Sequence, residues 1–326
     1  MDTYISHYHV GPHFFRVTSD SALVETPASF HPFLMPERPE EEPLFQLHVE
    51  LGAGRTDAAD GDTITGEDAS GNEEREGDVG FDWENARCFI RFLGDGHHRI
   101  YIRPHSTEQT FCVICCDNFA RNTLCLCNLV PDTRRGVGAF VLNNSLMLLY
   151  AFRAAKHGTL LIHASVVTCQ GKGYLFLGKS GTGKSTHSRL WLEHVPGSRL
   201  LNDDNPIVHV NPDGQDATVY GPPWSGKMPC YLQASAPIGA FISLEQAPRN
   251  EITRKDIPRA FAALLPSCSC LKQEKTVYGG VLAAVGRLVT DVPVFHLKCL
   301  PDKAAAELCR KTMDKLNLMR EQKAGA

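Results

Sequence analysis

The stretch Gly178-Lys179-Ser180-Gly181-Thr182-Gly183-Lys184-Ser185, continued by Thr186, restricts the fold more than any other feature of this 326-residue chain. It follows the apolar run from Gly173 to Leu177 and precedes a segment of helical spacing through Leu190, Trp191 and Leu192. That order reads as strand, glycine loop and helix, the unit of a P-loop α/β sheet. Glycines let the backbone wrap closely around phosphate oxygens, and the loop amides with the helix start supply partial positive charge. The pattern is a complete Walker A sequence. It predicts that residues 178–186 bind the phosphates of ATP, with Lys184 reaching the β- and γ-phosphates and Ser185 ligating Mg²⁺.

Around this unit, 43% hydrophobic content is enough to bury a substantial core in one large or two modest domains. The 33 Lys and Arg are scattered and outnumbered by 37 Asp and Glu, giving a formal charge of -4 and no electrostatic case for a nucleic-acid partner. The segment Met1 to His7 lacks the basic-then-apolar pattern of a secretion signal. The longest apolar stretch, Ala139 to Phe152, is interrupted by Asn143, Asn144 and Ser145, so no membrane insertion is expected and a cytoplasmic location is the default. Twelve cysteines raise the question of metal. Cys112-x-x-Cys115 has a zinc-like spacing, but Phe111 to Cys115 and Asn122 to Asn128 read better as strands with thiols in a core or across a sheet. A disulfide framework is not expected either.

Two domains are expected. Residues 1–135 read as a small β-rich domain, with short strands at Leu44 to Val49, Cys88 to Phe92, His98 to Ile102 and Phe111 to Cys115, and a hairpin tip at Gly94-Asp95-Gly96. Within it, residues 53–79 are expected to form a disordered acidic loop, since nine acids face one base, Arg75, between Asp57 and Asp78. Residues 136–326 form the second domain. A helix is expected from Phe140 to Lys156, then strands at Thr159 to Val167 and Ser198 to Leu201, with Asn202-Asp203-Asp204 closing the latter. Further strands follow at Ile207 to Val210, Thr218 to Tyr220, Ile238 to Ile242 and Val292 to Leu297, and a last helix at Pro301 to Leu318. Gly221-Pro-Pro-Trp-Ser-Gly-Lys227 is a positioned loop.

Phosphoryl transfer needs a metal and a group that positions the acceptor oxygen. Asp203 and Asp204, at the ligand-binding end of a strand, suit the two tasks, one carboxylate for Mg²⁺ or its waters and the other for proton removal. With His163 in Leu161-Ile-His-Ala164, these residues carry a family resemblance. Leu161 to Ala164, Gly178 to Ser185 and Leu200 to Asp204 resemble the C-terminal catalytic domain of bacterial HPr kinase/phosphorylase, a P-loop fold akin to phosphoenolpyruvate carboxykinase. The resemblance spans roughly residues 150–230. It implies a reaction centre of His163, Lys184 and Asp204, with Ser185 on magnesium. The Arg-Gly-Leu-Gly motif of that family has no match here, and Gly221 to Lys227 stands in its place. That loop, the β-rich leader and Leu161 to Ser165 look more like HPr kinase-like proteins found beside peptide-modification systems, some of which phosphorylate precursor peptides.

The implied fold is an α/β P-loop kinase domain of the HPr kinase/phosphoenolpyruvate carboxykinase type behind a β-rich domain. The implied function is ATP- and Mg²⁺-dependent transfer of phosphate to a hydroxyl, serine above all, of a peptide, protein or small molecule, by a monomer or a homo-oligomer. Trp224 is read as packing over acceptor or nucleotide and Lys227 as neutralising the moving phosphate, with a structural role the alternative for each. An ATP-hydrolysing assembly switch and a nucleotide-binding structural protein are the alternatives. Carboxykinase chemistry would need clustered cations, and Arg249, Arg254 and Arg259 are not placed together by sequence.

Overall fold

The computed structural model describes residues 3–21, 24, 26–37, 39–51, 56–57, 63–64, 73–126, 134–211, 217–226 and 228–324. It is a mixed α/β structure with several sheets. The chain divides into two compact units, one of Met1–His9 with His13–Arg153 and the other of Val10–Pro12 with Ala154–Ala326.

The first unit is built on an eight-stranded sheet. In chain order its strands are β1 (Tyr4–Val10), β2 (His13–Ser19), β3 (Gln46–Glu50), a separate small pair β4 (Thr56–Asp57) and β5 (Thr63–Ile64), then β6 (Val79–Asp82), β7 (Ala86–Gly94), β8 (His97–Pro104), β9 (Phe111–Cys116) and β10 (Arg121–Cys125). The large sheet runs β1-β2-β3-β10-β9-β8-β7-β6. The described parts of the cysteine-rich segments, Phe111–Cys116 and Arg121–Cys125, are strands, with Cys112 opposite Cys125. The β7–β8 tip takes positive φ at Gly94, Asp95 and Gly96, in keeping with the expected hairpin. Aromatic stacking fills the core, Phe15 lying on Phe45 at 4.8 Å and Phe89 on Tyr101 at 4.6 Å. Helix α1 (Ala139–Ala154) belongs to this unit by contact and anchors to it through Arg153 Nε, which donates to the Leu44 carbonyl at 3.0 Å.

Most of the acidic segment 53–79 lies outside the described residues. Its end is held by ion pairs to β7, Asp78 to Arg91 at 2.8 Å and Glu74 to Arg87 at 2.6 Å. Burial pushes the Asp78 carboxyl up, but hydrogen bonds from Arg91 and the Arg75 amide outweigh it and leave its pKa lowered.

The second unit contains β11 (Thr159–Leu161), β12 (Ala164–Cys169), β13 (Lys172–Leu177), α2 (Lys184–His194), β14 (Arg199–Asn202), β15 (Ile207–Val210), β16 (Ala217–Tyr220), β17 (Ser235–Gln246), β18 (Glu251–Arg254), α3 (Ile257–Leu264), α4 (Lys275–Asp291), β19 (Val294–Cys299) and α5 (Lys303–Ala324). Seven strands run β11-β15-β16-β17-β13-β12-β14, while β19 joins β17 to β18. The long β17 is central: its start pairs antiparallel with β16, and its remainder runs parallel to β13 and β19. Alternate residues of β12, β13 and β17 face Trp191 of α2 and Ala306, Cys309 and Met313 of α5 across one apolar core. Trp191 is fully buried against Tyr174 and Phe176 and donates from Nε1 to His187 at 3.2 Å.

The segment Gly136–His157, which includes α1, is long and apolar enough to cross a membrane by length and composition, yet 67% of its most apolar window is buried inside the protein.

Candidate functional site

Topology gathers the residues singled out from sequence. Strand β12 runs antiparallel to both β13 and β14, so its first residues lie beside the last residues of both neighbours. Ala164 is opposite Leu177, and Val166 is opposite Asn202. His163, the 178–186 loop and the Asn202–Asp204 turn therefore share one end of the sheet.

The strand expected from Thr159 to Val167 is not continuous. It breaks at Ile162 and His163, because β11 pairs with β15 whereas β12 pairs with β13 and β14. The break is held on both sides: Ile162 N donates to Pro206 O at 3.1 Å, His163 N to Ser267 O at 2.7 Å and Ala164 N to Asp204 O at 3.0 Å. His163 thus sits at a switch between pairing partners, with a side chain 43% exposed.

The loop after β13 needs its glycines. Gly181 and Gly183 have φ of +79° and +107°, a region that side chains rarely enter, and Gly183 caps α2 without a side chain to fill the helix start. The loop is pinned from within by the Thr182 hydroxyl, donating to Lys179 O at 2.7 Å. From outside, Gln246 at the end of β17 donates to the carbonyls of Gly181 and Thr182 at 3.2 and 3.4 Å. Sequence reading missed Gln246, which lies 60 residues beyond the motif and carries no local signal.

Lys184 opens α2 and is 9% exposed. Its Nζ donates to His163 Nε2 at 2.8 Å, to Gly178 O at 2.9 Å and to Lys179 O at 3.4 Å. On the other side of the ring, His163 Nδ1 lies 3.1 Å from Asp204 Oδ1. An ammonium can only donate, so Nε2 is the acceptor and Nδ1 carries the proton that faces Asp204. Burial lowers the Lys184 pKa, and the nearby Asp204 and Asp203 carboxylates oppose that shift.

The two aspartates are held differently. Asn202 Oδ1 accepts from the amides of Asp204 and Asn205, both at 3.0 Å, which fixes the turn. Asn205 Nδ2 also donates to Asp204 Oδ2 at 2.6 Å. Asp204 is one-third exposed, whereas Asp203 is 5% exposed and its Oδ1 accepts from the Ser165 hydroxyl at 2.7 Å. Asp203 Oδ2 is buried with no hydrogen-bond partner among the described residues. Close by, Cys230 has its thiol pKa raised by burial and by the Asp203 charge.

The loop from Gly221 packs against this turn. A Cβ on Gly226 would stand 2.8 Å from Asp203 O and 3.1 Å from Asp204 Cβ. Trp224 is 3% exposed, and its carbonyl accepts from Asn202 Nδ2 at 2.7 Å. Its side chain is thus part of the interior. Lys227 lies outside the described residues. Ser185 and Thr186 are half-buried on the first turn of α2, and Lys179 and Ser180 are exposed.

The unpartnered buried oxygen of Asp203 and the half-buried hydroxyl of Ser185, both at this end of the sheet, are hard oxygen donors of the kind that suits a hydrated divalent cation such as Mg²⁺, which takes few protein oxygens and keeps its waters.

The family described as SynChlorMet cassette protein ScmC matches residues 125–302, more than half of the chain, and the protein belongs to that family. No curated protein matches it. Among solved structures, the Hpr(Ser) kinase/phosphatase from Coxiella burnetii is similar over 51% of this chain and 94% of its own, at 13% identity and a TM-score of 0.30.

Proposed function

We propose that this protein is an ATP- and Mg²⁺-dependent phosphotransferase that phosphorylates a hydroxyl, with serine the favoured acceptor, on a peptide, protein or small molecule. The observation that carries the reading is the line Asp204–His163–Lys184 at the mouth of the glycine loop, with separations of 3.1 and 2.8 Å. The loop amides and the start of α2 bind phosphate oxygens. Lys184, already at the loop, moves its charge from the Gly178 and Lys179 carbonyls to the β- and γ-phosphates.

Asp204 accepts the proton of the acceptor hydroxyl as that oxygen bonds to the γ-phosphorus and the bond to the β–γ bridging oxygen breaks, releasing ADP. His163 donates from Nδ1 to Asp204 and so orients the carboxylate. Ser185 and Asp203 hold magnesium, which when bound neutralises phosphate charge.

The test follows the γ-phosphate of labelled ATP with Mg²⁺ and a lysate of the source cells, beside a lysate-free control and the Lys184→Ala protein. Label captured on a peptide, protein or metabolite only with the intact enzyme supports the reading and identifies the acceptor class. Release solely as inorganic phosphate favours an ATP-hydrolysing switch.

A further inference from the structure

We infer that Ser165 and Ser188 form a buried hydroxyl relay that fixes Asp203, so that this carboxylate offers the divalent cation a single oxygen, Oδ2. The inference rests on the nucleotide-site reading above and assigns positioning roles to two serines outside the glycine-loop motif.

Both serines are fully buried, an uncommon setting for a hydroxyl in a core of this kind. Ser165 lies on β12, two residues after His163. Ser188 lies on α2, one helical turn after Lys184 and on the same face. Their oxygens are 2.6 Å apart, and Ser165 Oγ is 2.7 Å from Asp203 Oδ1. An ionised carboxylate only accepts, so the one Ser165 proton goes to Asp203, and Ser188 must donate to Ser165. The direction Ser188 to Ser165 to Asp203 is therefore fixed, and each bond polarises the next.

The consequence falls on the other oxygen. The Ser165 bond to Oδ1 orients the carboxylate, and Oδ2 stays buried without a partner among the described residues. A buried anionic oxygen left open in this way is one that awaits a ligand. Groups that orient a metal-binding carboxylate without touching the metal are worth about 10- to 100-fold in metal affinity.

The experiment measures calorimetric binding of a non-hydrolysable ATP analogue, with Mg²⁺ and with EDTA, to the full chain and to Ser165→Ala, Ser188→Ala and Asp203→Asn. The Mg²⁺ enhancement is expected to fall about tenfold in Ser165→Ala and by a smaller factor in Ser188→Ala, while binding in EDTA matches the unaltered protein. Retained EDTA binding also shows that the variant is folded. Should Ser165→Ala fail to fold, Ser188→Ala decides, because it leaves the Ser165–Asp203 bond in place. Full Mg²⁺ enhancement in Ser188→Ala and in any folded Ser165→Ala overturns the relay and leaves the nucleotide site standing. No nucleotide binding by the unaltered protein overturns the nucleotide-site reading, and the relay with it.

Discussion

The Lys184 ammonium donates to Nε2 of His163 at 2.8 Å, joining the start of α2 to the break between β11 and β12. This bond commits the other ring nitrogen to carry the proton that faces Asp204. His163→Ala is expected to lower phosphoryl transfer about 100-fold through misplacement of Asp204, with ATP affinity changed far less. Steady-state transfer and equilibrium binding on the same preparation check the split. A parallel loss of both would instead mark His163 as a packing residue.

Gly226 packs against the same aspartate turn. A methyl group there meets Asp203 O at 2.8 Å, and backbone gives way less readily than a flexible side chain. Gly226→Ala is expected to reduce transfer at least about tenfold while costing about 1–3 kcal/mol of stability. Transfer assays and denaturant melts measure the two effects separately.

Two adjacent glycines in α4 should respond with opposite signs. A Cβ on Gly280 would lie 2.6 Å from the Ala155 carbonyl oxygen, whereas one on Gly279 meets nothing within 4 Å. Gly280→Ala is expected to destabilise by about 1–3 kcal/mol, and Gly279→Ala to stabilise by about 0.5–1 kcal/mol through helix propensity. Urea melts of the two variants decide it, and equal effects would contradict the backbone contact.

His187 sets an acid limit on the second unit. Burial pushes its pKa down to about 4 from the ordinary 6.5, and its Nε2 accepts from Trp191. Between those values the unfolded chain binds more protons than the folded one, so stability falls as pH falls through that window. Relative to His187→Gln, which keeps an acceptor for Trp191, the unaltered protein should lose about 2 kcal/mol between pH 7 and pH 5. Parallel stability curves for the two proteins would contradict the buried neutral ring.

What the sequence made legible was local. Gly173 to His194 announces strand, loop and helix because apolar run, glycines and helical spacing adjoin one another, and Asn202-Asp203-Asp204 marks a strand end through its own turn chemistry. The break at Ile162 and His163 was hidden, since every residue from Thr159 to Val167 suits a strand and only the choice of partner strands divides them. Ser165, Ser188 and Gln246 gave no local signal either, because their partners lie 38, 23 and 65 residues away. Trp224 read as packing over a ligand or as a structural residue, and its burial is set by the Gly221 loop folding onto the aspartate turn. Strands β1 and β2 escaped notice because histidines and arginine interrupt their apolar alternation.

Proton removal by Asp204 is the central step of the proposed transfer. The decisive measurement pairs ATP affinity with transfer of labelled γ-phosphate to the acceptor in Asp204→Asn. Affinity close to that of the unaltered protein with transfer reduced at least about 100-fold is the predicted result. Transfer at the full rate would contradict it.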